Sequence, residues 1–229
     1  SAKTADQSLN DFNNVRKVEY KSDEILRVDV RNGVLQNEYV DQVIGSTVPE
    51  VVNTSVGVVR DGSVYAMYCN GSTSKLDCGN YDDLTGDKSF IAWIKPYGWG
   101  EGGFGRIMQN GKMDLYKSTT NSKYSFKSNG STIVSSANNS ITLGVWQLII
   151  VTRNSAGDET NFYINGVLSG SADQDSGTPV AGSTNITIGT DNGSARTFYG
   201  LIGNTRIENG ILSSAQAMQV YTSEVGYYE

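Results

Sequence analysis

Histidine is absent from the 229 residues. Its absence removes the usual general base near neutral pH and the commonest metal ligand, and with it every Ser-His and Cys-His nucleophilic arrangement. Cysteine is nearly absent: Cys69 and Cys78 are the only two, too few for a disulfide-built scaffold. They flank NGSTSKLD, which reads as a hairpin turn, and can face inward either as a cross-strand disulfide or as two buried thiols. Only three prolines occur, Pro49, Pro96 and Pro179, so few strands are interrupted. No apolar run approaches the roughly 20 residues of a membrane helix. The opening SAKTADQSLND also lacks the positive segment and apolar stretch of a signal peptide. Positive charge is short as well: 18 Lys and Arg stand against 24 Asp and Glu, a net charge of -6. That excludes a general nucleic-acid binder, which needs concentrated positive charge.

Turn formers are what the chain has in abundance. Asn-Gly occurs seven times, beginning at Asn32, Asn70, Asn110, Asn129, Asn165, Asn192 and Asn209. Asp61-Gly62 adds an eighth turn of similar chemistry. The intervals are irregular, which excludes a blade or solenoid repeat and favours a sandwich or jelly roll of hairpins. The clearest segment is WQLIIVTRNSAGDETNFYINGVLSGS, residues 146–171. Leu148 to Val151 is a short continuous apolar run, as expected of a strand covered on both faces. Asn165-Gly166 then supplies the two positive-φ residues of a type I′ hairpin. Further strands are expected over 25–30, 56–59, 64–69, 90–94, 107–113, 114–117, 123–127, 132–134, 185–188 and 201–207. A single helix is expected from Ser214 to Tyr221. Ser213 is its N-cap, Gln216 closes a capping box, and Ala217, Val220 and Tyr221 form its apolar face. Residues 1–22 are polar and aperiodic and read as an arm or linker, leaving 23–229 as one all-β domain.

A Trp-led strand followed by an aromatic strand ending in Asn-Gly-Val resembles the laminin G-like domains of the concanavalin A-like lectin/glucanase superfamily. TGDKSFIAWIKP is similar to that family's strand ending in Trp and Pro, and MYCNGSTSKLDCG to its preceding hairpin. NITIGTDNGSARTFYGLIGNTRIENGILSSAQAMQVY resembles its closing strand, aromatic-Gly pair, last strand and short helix. The resemblance spans about residues 25–222. It implies an antiparallel β-sandwich of the concanavalin A-like jelly-roll type with a short C-terminal helix. Many family members hold calcium at one rim, using an Asp in the last strand where this chain has Gly203. Asp77, Asp191 and the segment DQDSG remain as hard oxygen ligands, so a calcium ion is possible here and is not predicted.

Catalysis of the glycosidase type needs two carboxylates flanking the scissile bond. The β-glucanase branch of the superfamily carries them as Glu-x-Asp-x-x-Glu, and no glutamate here is followed by Asp two positions on. Asp82/Asp83, Asp158/Glu159 and Asp173/Asp175 sit in turn-like contexts and read as solvated loop charge. The most distinctive loop is YGWGEGGFGR, where five glycines accompany three aromatic rings and a guanidinium. Tyr97, Trp99, Phe104 and Arg106 are the candidate ligand-binding residues: aromatic faces stack on sugars, and the planar fork of arginine grips hydroxyls or carboxylates. The competing reading has Trp99 and Phe104 folding back over one end of the sandwich, with glycines allowing close backbone approach. Trp93 and Trp146 sit in strand contexts and read as core. Lys112, Lys117, Lys123 and Lys127 with Tyr116 and Tyr124 form a fallback face. The expected protein is a non-catalytic recognition module for a glycan or a surface protein, extracellular or on a cell or virus-particle surface. It is expected to bind no nucleic acid and not to insert in a membrane. The alternatives are a structural sandwich of a virion or appendage and, third, a polysaccharide-degrading enzyme.

Overall fold

The computed structural model describes residues 24–31, 34–38, 52–80, 84–191, 193 and 195–229; the 1–22 arm, Asp82, Asp83 and the turn residues Asn32 and Asn192 lie outside them. Sixteen strands are described: β1 (Glu24–Arg31), β2 (Val34–Glu38), β3 (Val52–Thr54), β4 (Gly57–Asp61), β5 (Val64–Asn70), β6 (Lys75–Asp77), β7 (Lys88–Pro96), β8 (Arg106–Gln109), β9 (Asp114–Ser118), β10 (Lys123–Lys127), β11 (Val134–Ser135), β12 (Gln147–Arg153), β13 (Thr160–Ile164), β14 (Val167–Leu168), β15 (Thr187–Ile188) and β16 (Tyr199–Asn209). One helix, α1 (Ser214–Glu224), follows. All pairings are antiparallel. A nine-stranded sheet runs β14-β13-β12-β7-β16-β1-β2, with β5 joining β16 and β4 joining β5; a seven-stranded sheet runs β11-β10-β9-β8-β15-β6-β3. This is the expected antiparallel β-sandwich with its short C-terminal helix.

Alternation along the central strands assigns each side chain to a layer. Phe90, Ala92 and Ile94 of β7 join Ile149 and Val151 of β12 and Ile202 of β16 between the sheets, where Leu115, Tyr124 and Phe126 meet them from the other side. Ile91 and Trp93, with Leu148, Ile150 and Leu201, point the opposite way into a second apolar cluster beneath Ala217, Val220 and Tyr228. β7 and β12 are therefore apolar on both faces, which is why Leu148 to Val151 reads as an unbroken run. Trp93 and Trp146 are buried, but in this outer cluster and not between the sheets. The Asn165-Gly166 reversal between β13 and β14 has φ of 51° and 78°, as the type I′ turn demands. Ser213 and Gln216 close the capping box of α1, which runs one turn further than its apolar spacing indicates.

The segment between the cysteines departs from the hairpin reading. β5 pairs with β16 and β4 in one sheet, whereas β6 pairs with β15 and β3 in the other. Asn70 Oδ1 accepts from the backbone N–H groups of Ser72, Thr73 and Ser74 at 2.9, 2.8 and 3.2 Å, and the Ser74 hydroxyl donates to Ser55 O at 2.7 Å. These bonds turn the chain through an arch from one sheet to the other. Cys69 and Cys78 are free thiols in the inter-sheet core. Burial pushes the Cys69 thiol up to about 12 and raises that of Cys78 still further, so neither is reactive.

Candidate ligand-binding site

The glycine-rich loop joins β7 to β8 at one end of the sandwich. It is pinned along its length by backbone bonds: Tyr97 N to Tyr199 O at 3.0 Å, Glu101 N to Thr197 O at 3.0 Å, and Gly105 N to Trp99 O at 3.1 Å. Glycine is required where the chain folds against itself. Gly100 has φ of 76°, and a Cβ there would collide with Thr197 O; a Cβ on Gly105 would stand 2.9 Å from the Lys117 side chain and 3.1 Å from Phe198 Cα. Behind the loop, Lys117 is fully buried, with 0% exposure. Its Nζ donates to Gly98 O and, at 3.1 Å, to Tyr199 O, and it lies 3.9 Å from the centre of the Phe198 ring. Burial pulls its pKa down from 10.5 to about 7. A core lysine thus fastens the loop to the start of β16.

The four residues singled out in this loop occupy three places. Phe104 and Arg106 come together on the outer face of the seven-stranded sheet. Arg106 Cζ sits 4.2 Å over the Tyr116 ring, Phe104 meets Tyr116 edge-on at 6.3 Å between centroids, and Arg196 Cζ lies 5.5 Å from the Phe104 ring. The result is a ladder in which two arginines bracket two aromatic rings. Trp99 is half-buried and packs against the inter-sheet core. Tyr97 points elsewhere again: it is 40% exposed and meets Tyr199 edge-on at 6.0 Å.

Around the ladder the sheet face is polar. Arg106 is only 4% exposed; its Nη1 donates to Phe104 O at 3.1 Å and its Nη2 pairs with Asp114 at 3.3 Å, while Nε has no hydrogen-bond partner among the described residues. Burial lowers its pKa, an effect that the Asp114 carboxylate opposes. Lys127 completes the group, with Nζ 2.9 Å from Asp114. Asp114 and Arg196 are not among the candidate site residues that the sequence offers, and Lys127 belongs only to its fallback face. Only Tyr116 and Lys127 carried a signal, as members of the lysine–tyrosine face, and that face does not exist as a unit. Lys117 and Tyr124 turn into the core, whereas Tyr116 and Lys127 alternate outward, as register pairs Tyr124 with Lys117 and Lys127 with Asp114.

The residues do not fit the calcium site that the superfamily implies. Gly203 lies in β16 beneath the Tyr228 ring, where a Cβ would fall 2.7 Å from the phenol oxygen, and that oxygen accepts from Asn204 N at 2.9 Å. An aromatic anchor occupies the place of a ligand. Asp191 Oδ1 accepts from Ala195 N, Asp77 Oδ1 from Gly79 N and Asn185 Nδ2, and Asp175 Oδ1 from Gly177 N. Among the described residues no three His, Cys, Asp or Glu side chains converge, and no helix is long and apolar enough to cross a membrane.

Two packed antiparallel sheets, one of them with a polar outer layer, define a lectin-like jelly-roll domain. The profile of the laminin G type within the concanavalin A-like lectin/glucanases superfamily matches residues 70–218, and the chain belongs to that superfamily. No curated protein matches it by sequence. Among solved structures, the binding domain of Paraclostridial Mosquitocidal Protein 1 is similar at a TM-score of 0.66 and 15% identity, over 88% of this chain and 52% of that one. Domain 4 of AbnA, an extracellular arabinanase from Geobacillus stearothermophilus in complex with arabinotriose, gives 0.57 and 17%, over 73% and 82%. The botulinum neurotoxin serotype D binding domain gives 0.63 and 18%, over 89% and 52%. The chain therefore spans about half the length of the toxin binding domains. At these identities the likeness shows the fold alone.

Proposed function

We propose that this chain is a non-catalytic carbohydrate-recognition module acting outside the cell, on a cell or virus-particle surface. Its ligand surface is the outer face of the seven-stranded sheet at the end closed by the glycine-rich loop. The observation that carries the reading is the Arg196–Phe104–Tyr116–Arg106 ladder beside Asp114 and Lys127. The half-buried Phe104 ring and the exposed Arg196 guanidinium stand at the open end of the ladder, above the buried Tyr116, Arg106 and Asp114; a ring beside a planar donor suits a sugar, which has apolar C–H faces and a hydroxyl rim. Trp99 supports the loop from below. The superfamily and the carbohydrate-complexed domain among similar structures support the ligand class. The lack of histidine and of the Glu-x-Asp-x-x-Glu strand supports binding without turnover.

A glycan array tests the reading. The wild-type chain should bind at least one glycan class, and Phe104→Ala and Arg196→Ala should each weaken it by ~10-fold or more. Incubation with a broad polysaccharide panel should release no reducing ends. Binding untouched by either substitution would remove the site, and turnover lost on mutating one acid or tyrosine would make the chain an enzyme. A second reading, a protein-receptor-binding sandwich, is favoured by the toxin binding domains among similar structures; it predicts a blank array and capture of a surface protein.

A further inference from the structure

We propose a second sugar site on the outer face of the nine-stranded sheet, where Tyr97, Tyr199 and Tyr68 with the Asp61 carboxylate bind a neutral sugar ring. It rests on the reading of the chain as a carbohydrate module but lies on the opposite face from the Phe104–Arg106 ladder. Tyr97 and Tyr199 are 40% and 38% exposed and stand edge-to-face. Tyr68 of β5 pairs directly with Leu201 of β16, two residues from Tyr199 and so on the same face. Tyr97 also lies within the fields of Asp61, Lys95 and Tyr68.

The tyrosine pair is set on a prepared floor. Cβ atoms on Gly98 and Gly71 would fall 2.9 and 3.0 Å from the Tyr199 side chain, so only glycine lets that ring lie down on the backbone. Gly57, directly opposite Tyr68, keeps the neighbouring strand bare. The backbones beneath are fixed twice over, by Tyr97 N on Tyr199 O and by the buried Lys117 ammonium on Gly98 O and Tyr199 O. Preorganised rings lose little freedom on binding.

The chemistry of the rim selects the ligand. Asp61 Oδ2 accepts from Lys95 Nζ and from Trp146 Nε1, both at 2.7 Å. Oδ1 accepts no hydrogen bond among the described residues and remains available to a sugar hydroxyl. Since Lys95 and Asp61 pair with each other, the platform carries no excess charge and suits a neutral ring better than an anionic one. Phenol rings with polar tips also fit a sugar better than an apolar peptide.

The test titrates the full chain with arabinotriose, maltotriose, cellotriose and mannotriose, each to about 10 mM, enough to reveal a millimolar Kd. Tyrosine ring signals are followed by NMR. At least one trisaccharide should shift both Tyr97 and Tyr199. Tyr199→Ala should weaken it by ~10-fold or more, Tyr199→Phe by no more than about 2-fold, and Phe104→Ala should leave it unchanged. If Tyr199→Ala loses its folded circular dichroism, Tyr97→Ala, on the loop, takes its place. The proposal is overturned if no trisaccharide shifts either ring, or if a proline-rich peptide shifts them and the sugars do not. Loss of the sugar response with Phe104→Ala, and not with Tyr199→Ala, would also overturn it while leaving the first site standing.

Discussion

On the nine-stranded sheet the outward residues Ile91, Trp93, Leu148 and Leu201 are sealed beneath α1 and Tyr228; on the seven-stranded sheet the outward residues Arg106, Asp114, Tyr116 and Lys127 form a polar set, the first three almost fully buried. The first face is closed by apolar burial and by one ionic clasp. Tyr228 stacks on Trp93 at 4.1 Å, Trp93 Nε1 donates to Glu224 at 2.6 Å, and Arg206 pairs with both Glu208 and Glu224 at 2.9 Å. The second face is closed by hydrogen bonds and cation–ring contacts among side chains that stay polar. The same alternation of strand residues therefore yields one apolar outer layer and one polar one. What separates them is how the outward set is dehydrated: by apolar contact on the first face, and on the second by pairing polar groups with one another.

The largest expected effect lies on the sealed face. Trp93→Ala removes the ring under Tyr228 and a donor to Glu224, and should destabilise by ~3–5 kcal/mol in chemical denaturation while leaving the Arg196–Phe104–Tyr116–Arg106 ladder chemically intact. A loss below about 1 kcal/mol would erase the contrast between the faces. Trp99→Ala comes next. Its ring is half-buried against the core, so about 2–3 kcal/mol is expected, between a plug and a surface platform. A change within about 0.5 kcal/mol, with glycan binding abolished, would instead make it an exposed contact.

Lys117 sharpens the comparison through pH. The unfolded chain keeps this proton up to 10.5 whereas the folded chain gives it up from about 7. Between those values the unfolded state binds more protons, so stability rises with pH; below about 7 the cost of the buried charge is fully present. The buried thiols act in the opposite sense above their ordinary value of 9.0, because burial keeps them protonated when folded. The window belonging to Lys117 is therefore pH 7 to 9. There stability should rise by up to ~1.4 kcal/mol per pH unit, and Lys117→Met should flatten the profile. A wild-type profile that falls across this window would refute the buried, depressed lysine. The smallest effect is expected from calcium: after chelation, adding it should leave Tm nearly unchanged. A site saturated at 100 times its Kd would add about 2.7 kcal/mol.

Much of the framework was legible because it is written in local signals. The unbroken run Leu148 to Val151, the Asn165-Gly166 reversal and the Ser213–Gln216 box each act within a few residues, and each stands where its chemistry puts it. The arch at Asn70 was not legible, since an Asn-Gly pair serves a hairpin or an arch equally and the choice depends on where Ser55 lies. Tyr97, Trp99, Phe104 and Arg106 are neighbours in sequence, yet a loop that turns through positive-φ glycines sends them to three different surroundings. Arg196, which completes the ladder, stands about ninety residues further on with φ of 60°, and nothing near it in sequence marks it as a partner of Phe104.

By itself the sequence determined a β-sandwich of the lectin type, a capped terminal helix and the absence of histidine chemistry, because composition, alternation and turn residues act over short range. The tertiary structure alone decided that Lys117 is a core fastener, that Gly203 lies against the Tyr228 ring, and that Tyr97 and Phe104 of one loop lie on opposite faces. Those outcomes depend on which distant strand lies alongside. Register between strands far apart in the chain is fixed by packing the whole core, not by any segment of it.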